Sequence, residues 1–280
     1  MDTNLLLKTY LKKLRLPTVA GVLEKVSREA GAANLPYERF LLTLLEQEVL
    51  AREENTLRLR IKQAQFPLLK TLDTFDFSAI PKLDKQKVLQ LAECLWIDPS
   101  DNLCLAGTPG TGKTHIATAI GIAACRQGFR VRFFTAAGLV NTLIESQSQH
   151  TLSRLERVLA KIDLIIVDEL GYVPFSKAGA ELLFGVFAAR YERAAILVTT
   201  NLEFGKWTEV FGDERMTGAL LDRFTHRCHI LPMLGESFRF HESQKAAQSP
   251  GSHISRKRPL TAKGSQGNRE SERKAVGAAA

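Results

Sequence analysis

Apolar residues recur at helical spacing through the first 65 residues. Leu5, Leu6, Tyr10 and Leu14 line one predicted helix, with Lys8, Lys12 and Lys13 between them. Pro17 and Gly21 break or reset the pattern. Val22, Leu23 and Val26 resume it in a short helix that Gly31 ends. Asn34-Leu35-Pro36 reads as the start of a third helix. Phe40, Leu41, Leu44, Leu45, Val49 and Leu50 follow, with Glu46, Gln47 and Glu48 on the opposite, polar face. From Arg52 to Lys62, charges alternate with Leu at helical spacing. The result is a small all-α module ending in a long helix, a shape suited to protein or DNA contact and without a catalytic signature. Phe66-Pro67 and Phe75-Asp76-Phe77 mark a linker, and Lys85 to Cys94 a further helix.

From residue 102 the period changes. Short apolar runs (Leu103 to Ala106, Val131 to Thr135, Leu164 to Val167, Ile196 to Thr200) alternate with helical stretches beginning near 113, 137 and 178. A late helix around Leu221-Asp222-Arg223-Phe224 precedes a last apolar strand at His229-Ile230-Leu231. Strands alternating with helices predict an α/β fold, a parallel sheet with helices on both faces.

Composition narrows the class. The 280 residues are 45% hydrophobic and 24% charged, which excludes collagen, wholesale disorder and a disulfide scaffold. No uncharged apolar run is long enough to span a membrane, and the N-terminus lacks the charge order of a secretory signal. Four cysteines without metal-ligand spacing fit a reduced, cytoplasmic chain. The net charge is +8, but residues 245–280 carry eight Lys/Arg and two Glu, so most of the excess sits in that tail. Rich in Ser, Gly, Lys and Arg, it is expected to be disordered, and such a tail is able to bind nucleic acid non-specifically.

The strongest chemical signal is Gly107-Thr108-Pro109-Gly110-Thr111-Gly112-Lys113-Thr114, a full GxxxxGK[ST] between a predicted strand and a predicted helix. Its glycines let the backbone curl with N–H groups inward at a helix N-terminus that favours anions. Lys113 is placed to reach β- and γ-phosphates, and the Thr114 hydroxyl to ligate Mg²⁺. The second signal is Asp163-Leu164-Ile165-Ile166-Val167-Asp168-Glu169. A buried strand there delivers two carboxylates at its C-terminal end, where open α/β sheets bind ligands. Asp168 is expected to hold Mg²⁺ through water, and Glu169 to polarise the attacking water. Thr199-Thr200-Asn201 ends the neighbouring strand, so Asn201 is expected beside Glu169, donating to the water or the γ-phosphate. Arg223 is the candidate arginine that a neighbouring subunit would offer to the transition state. Arg215 and Arg227 are weaker alternatives, and Arg239 is a further candidate nucleotide contact.

These residues resemble the AAA+ ATPases of the IstB/DnaC type, IstB most closely. The resemblance rests on GTPGTGKTHIATAIG (107–121), VDELGYVPFSKAGAELLF (167–184), TTNLEFGKW (200–207), LLDRFTHRCHIL (220–231) and PYERFLLTLLEQE (36–48), and spans roughly residues 4–244. It implies an AAA+ P-loop fold in three parts: a helical N-terminal domain over 1–70, an ATPase domain over 71–244 and the basic tail over 245–280. It further implies ATP and Mg²⁺ as ligands, with the Walker A loop from Gly107 to Thr114 and the adjacent His115 binding ATP. Asp168 and Glu169 become Walker B, Asn201 sensor 1 and Arg223 the finger acting in trans. The implied partners are duplex DNA, a cognate transposase and further copies through AAA+ interfaces, with no separate helical lid. Arg58, Arg60 and Lys62 on the long helix, and Arg154 after the second strand, are the candidate DNA contacts, expected to hold phosphates without reading sequence.

The leading expectation is therefore an ATP-driven helper of a transposase. A DnaC-like loader of the replicative helicase has nearly the same ATPase core and differs in its partner. A small-molecule kinase would need an acceptor pocket and an Arg-rich lid, and a passive scaffold would not need the base Glu169.

Overall fold

The computed structural model describes residues 3–235 and 237–238. The basic tail and Arg239 lie outside the described residues. Three helices come first: α1 (Thr3–Lys13), α2 (Pro17–Ala32) and α3 (Tyr37–Ala64). Pro17 does reset the chain, because it stands in the first turn of α2, where its missing N–H costs nothing. Gly21 does not break that helix, and α2 continues past Gly31 to Ala32. Leu11, Val19, Val26 and Leu44 form the small core of this module.

Glu48 corrects the sequence reading. It was expected on the polar face of α3, yet its side chain is only 4% exposed. Its carboxylate accepts the backbone N–H of Thr18 at 2.9 Å and of Val19 at 3.1 Å. The residue before α2 is Leu16, which has no side-chain cap to offer, so a carboxylate from α3 satisfies the N–H groups of that first turn. Arg52 completes the arrangement, donating to Glu48 at 2.9 Å and also to the carbonyl of Arg15.

The rest of the chain builds a three-layer unit. Two short 3₁₀ turns (Leu72–Thr74 and Phe77–Ala79) lead to α4 (Lys85–Ala92) and β1 (Asn102–Gly107). Then come α5 (Lys113–Arg126), β2 (Val131–Thr135), α6 (Ala136–Ser148), α7 (Leu152–Leu159), β3 (Leu164–Leu170), α8 (Lys177–Arg190) and β4 (Ala195–Thr200). The last elements are α9 (Thr208–Phe211), α10 (Glu214–Thr225) and β5 (Cys228–Met233). Among the described residues the five strands form one sheet in the order β2-β3-β4-β1-β5, and every pairing is parallel.

Strand alternation divides the apolar residues into two cores. Leu103, Leu105, Leu164, Ile166 and Leu197 face α4, α5 and the end of α3. Cys104, Ile165, Val167, Ile196 and Val198 face α6, α8, α9 and α10. The second half of α3 joins the first of these cores through Leu57, Ile61 and Ala64, and Arg132 of β2 donates to the carbonyl of Gln63 at 2.8 Å. One buried cation fixes the opposite end of the sheet from the P-loop. Arg190 donates to the carbonyls of Leu159, Ile162, Asp163 and Ala195 at 2.9–3.1 Å, and burial pulls its pKa down to about 10. It ties the starts of β3 and β4 together, which sets where their C-terminal ends finish.

Candidate nucleotide site

The GxxxxGK[ST] segment lies between β1 and α5, as its pattern predicts. Gly110 (φ +82°) and Gly112 (φ +77°) adopt left-handed backbone, and Gly112 is the N-cap of α5. With no side chain capping it, the first turn of α5 points its N–H groups into a cleft of about 320 Å³. Lys113 donates to the carbonyls of Gly107 at 2.9 Å and Thr108 at 2.7 Å, so its ammonium lies over the loop. The chain after β5 braces the loop from outside. Thr108 donates to the carbonyl of Gly235 at 2.8 Å, and the N–H of Phe238 to the carbonyl of Gly110 at 3.2 Å.

The carboxylates stand at the end of β3. Asp168 is buried, with the hydroxyl of Thr114 at 3.0 and 3.1 Å from its two oxygens. Burial pushes its pKa up and the adjacent Glu169 adds to this, while Thr199, Thr114 and Lys113 pull the other way. Glu169 is exposed, with φ at +61°. The β3–β4 pairing explains both facts. Val167 pairs with Val198 and Leu170 with Thr200, so Asp168 and Glu169 together oppose Thr199. This is a β-bulge, one extra residue that re-aims a side chain at a strand end.

The cleft brings together Pro109 to His115, Glu169 and Asn201. Gly107 and Thr108 lie beneath the loop, and Asp168 lies behind Thr114. Asn201 follows β4 and is exposed on the cleft wall. Arg223 is not among the cleft-lining residues. It sits on α10 with its guanidinium 5.3 Å from the centre of the Phe184 ring. Of its alternatives, Arg215 is exposed on α10, and Arg227 is paired to Asp101 at 2.9 Å. The candidate DNA residues also lie away from the cleft lining. Arg58 donates to Asn55 at 2.8 Å, Lys62 is exposed near the end of α3, and Arg154 is exposed on α7. Arg60 is half-buried beside Gly128, at the end of α5.

Sequence reasoning missed two parts of the site. The first is the wall opposite the P-loop, formed by Pro67, Leu68, Lys70, Thr74, Phe75, Asp76, Ala79 and Ile80. These residues fall in and beside the stretch read as a linker. His115 holds that wall, with Nε2 at 2.9 Å from the Thr71 carbonyl and 3.2 Å from the Thr74 hydroxyl, and its ring edge-on to Phe75. Phe75 also packs on Gly112, where a Cβ would meet its ring at 2.7 Å, and Phe66 packs on Gly121. The available signal was three phenylalanines in twelve residues, far too much apolar surface for a solvated linker. The second is Thr199, whose hydroxyl lies 2.6 Å from Asp168.

The IstB-like ATP binding protein family matches residues 9–246. The chain is 37% identical over 235 residues to the insertion sequence IS5376 ATP-binding protein of Geobacillus stearothermophilus, covering 84% of this chain and 94% of that protein. It is equally 37% identical over 240 residues to the insertion sequence IS21 ATP-binding protein of Pseudomonas aeruginosa, covering 86% and 91%. Among solved structures, DnaA from Aquifex aeolicus bound to AMPPCP superposes with a TM-score of 0.51 at 21% identity, over 66% of this chain and 56% of that one. DnaI superposes at 0.50 and 16% identity, over 59% and 90%. At these identities the likeness is one of fold.

Proposed function

Because this chain belongs to the IstB-like ATP binding protein family, an AAA+ ATPase family of insertion sequences, we propose that it assembles on duplex DNA in an ATP-dependent manner and recruits or activates a transposase. The observation that carries the ATP half is the contact of Thr114 with Asp168, made where the P-loop helix begins beside the end of β3. A hydroxyl and a carboxylate side by side are hard oxygen donors of the kind Mg²⁺ takes next to nucleotide phosphates. Thr114 and Asp168 are therefore the residues that would hold the ion, which supplies charge neutralisation on the phosphates when bound.

The remaining roles follow from position. The N–H groups of the P-loop bind phosphate oxygens, and Lys113 leaves the loop carbonyls to reach the β- and γ-phosphates. Glu169, exposed on the cleft wall, accepts a hydrogen bond from the attacking water and orients it. Asn201 donates to that water or to the γ-phosphate. The apolar wall around Phe75 and Ile80 suits the base. Arg223, which does not line its own cleft, acts on the nucleotide of a neighbouring copy. Arg58, Arg60, Lys62 and Arg154 are offered to DNA phosphates, making binding strongly salt-dependent.

The transposase enters because relatives that match 84% and 86% of the chain are ATP-binding proteins of insertion sequences. The same observation favours transposition over helicase loading. The setting is cytoplasmic, and none of the described helices is long and apolar enough to cross a membrane.

The test is ATPase activity of the wild type and Glu169→Gln, with and without duplex DNA, alongside size by light scattering. The expected result is DNA-stimulated hydrolysis in the wild type. Glu169→Gln is expected to hydrolyse nothing and yet to form a larger DNA complex held by ATP. If DNA changes neither rate nor size, the DNA reading fails. Pull-down of a replicative helicase without transposase would replace the transposition role with loading.

A further inference from the structure

The bulge at the end of β3 breaks strand alternation at the two residues that matter most. Ile166 faces the α5 side of the sheet and Val167 the opposite side. Asp168 returns to the α5 side, where it meets Thr114. Regular alternation would then send Glu169 towards α6 and α8, away from the cleft. Instead Leu170 takes that side, and Glu169, with its backbone at φ +61°, lines the cleft. A left-handed backbone at a residue other than glycine is strained and persists only where neighbours over-determine it.

Thr199 is that neighbour. It is the single β4 residue facing the bulge, it is 1% exposed, and its hydroxyl is engaged on both sides. It donates to the Asp168 carboxylate at 2.6 Å and accepts the N–H of Glu169 at 2.9 Å. The bulge takes Glu169 out of the β3–β4 register, so the Thr199 hydroxyl is what anchors its half-buried N–H to β4. One hydroxyl has one hydrogen to give and two lone pairs, and both contacts use it without conflict. Serine supplies the same group, whereas valine keeps the shape and loses it.

We propose that Thr199 is a positioning residue for ATP hydrolysis, a single hydroxyl that fixes the Asp168 carboxylate and the Glu169 backbone relative to one another. The inference rests on the reading of Glu169 as the residue that orients water. In this scheme Thr199 acts through Asp168 and Glu169, the two groups its hydroxyl engages. Its removal lets Glu169 relax towards ordinary strand geometry and so misplaces the water without emptying the nucleotide site.

The experiment compares Thr199→Val and Thr199→Ser with the wild type and Glu169→Gln, using the full chain. Three readouts are taken: kcat, ATP affinity by titration of a fluorescent ATP analogue with Mg²⁺ or with EDTA, and Tm. Thr199→Val is expected to lower kcat about 10- to 100-fold, the loss of a charge-assisted hydrogen bond. Its affinity in EDTA should stay within about threefold of wild type, while the gain in affinity on adding Mg²⁺ shrinks. Thr199→Ser should restore kcat to within about threefold. A merely structural threonine would lower Tm in both variants and leave kcat below melting unchanged, which overturns the proposal. If Glu169→Gln abolishes hydrolysis but Thr199→Val matches wild type, the positioning role falls and the site stands. If Glu169→Gln hydrolyses normally, the reading of the site falls and takes this inference with it.

Discussion

The hydroxyl of Thr114 lies 3.0 Å from a carboxylate oxygen of Asp168, although the two residues are 54 positions apart. The contact closes the P-loop helix against the end of β3. It also places a charge where the protein alone holds it poorly. Burial disfavours the ionised form of Asp168, and its pKa is raised. A raised carboxylate pKa contributes stability below the unfolded value, and that stability is lost as pH rises through the folded pKa. At neutral pH the nucleotide-free chain therefore carries an unfavourable charge. Asp168→Asn is expected to raise Tm of the nucleotide-free protein at pH 7.5 and to abolish the Mg²⁺-dependent part of ATP affinity. Calorimetric scans with and without Mg²⁺-ATP measure both. A fall in Tm without nucleotide would show that Asp168 stabilises the fold in its own right.

The close approach of β5 to the P-loop makes Gly107 the least replaceable glycine of the motif on backbone grounds. A Cβ there would lie 2.0 Å from the Met233 carbonyl oxygen, a main-chain atom of β5 that is costly to shift. Gly107→Ala should cost about 2 kcal/mol or more by overpacking, roughly 4–8 °C in Tm for a domain of this size. ATP binding should weaken as β5 is displaced. Gly185 is the control. It lies inside α8 with nothing within 4 Å of a Cβ, and Gly185→Ala should raise Tm by about 1–3 °C, since alanine costs less to order in a helix. Equal effects at the two sites would refute the packing argument.

Glu48 gives the N-terminal helices a pH dependence of their own. Burial raises its pKa, but the N–H of Val19, the Arg52 side chain and the N–H of Thr18 outweigh that and hold the carboxyl below its ordinary value. Stability from a depressed carboxylate is present above its unfolded pKa and lost as pH falls through the folded one. The α1–α3 module should therefore loosen below about pH 4.5, the ordinary value for Glu. Glu48→Gln should loosen it already at pH 7 and remove the acid transition. Amide exchange of Thr18 and Val19 against pH is the direct readout, and an unchanged acid transition in the variant would assign it to another group.

The legible parts of this chain were those fixed by local chemistry. The positions of the five strands and of α5, α6, α8 and α10 follow from period and from the glycine pattern of one loop, whereas α7 and α9 were not read, and Lys113, Thr114, Glu169 and Asn201 meet at the cleft because parallel strands end on one edge. What was hidden depends on long-range packing. Glu48 reads as a polar-face residue because its partners at the start of α2 lie 30 positions away. The wall around Phe75 reads as a linker because no regular period runs through two 3₁₀ turns. Thr199 reads as a strand residue, since a bulge in one strand is visible only from its neighbour.

Arg223 supplies the sharpest test of assembly. Its guanidinium rests on Phe184, and it is not among the residues lining the cleft of its own chain. If it serves a neighbour's nucleotide, Arg223→Ala should bind ATP normally and hydrolyse it about 10³-fold more slowly. The rate per wild-type subunit should rise with protein concentration. The decisive measurement mixes two inactive variants. In Arg223→Ala the cleft is intact and the finger is missing; in Glu169→Gln the finger is intact and the cleft is disabled. Wherever a Glu169→Gln subunit presents Arg223 to the cleft of an Arg223→Ala subunit, a complete site forms. Mixing should therefore recover a substantial share of wild-type activity, increasing with concentration. An arginine acting within its own chain, or on the fold alone, leaves every subunit in the mixture defective, and no activity returns at any ratio.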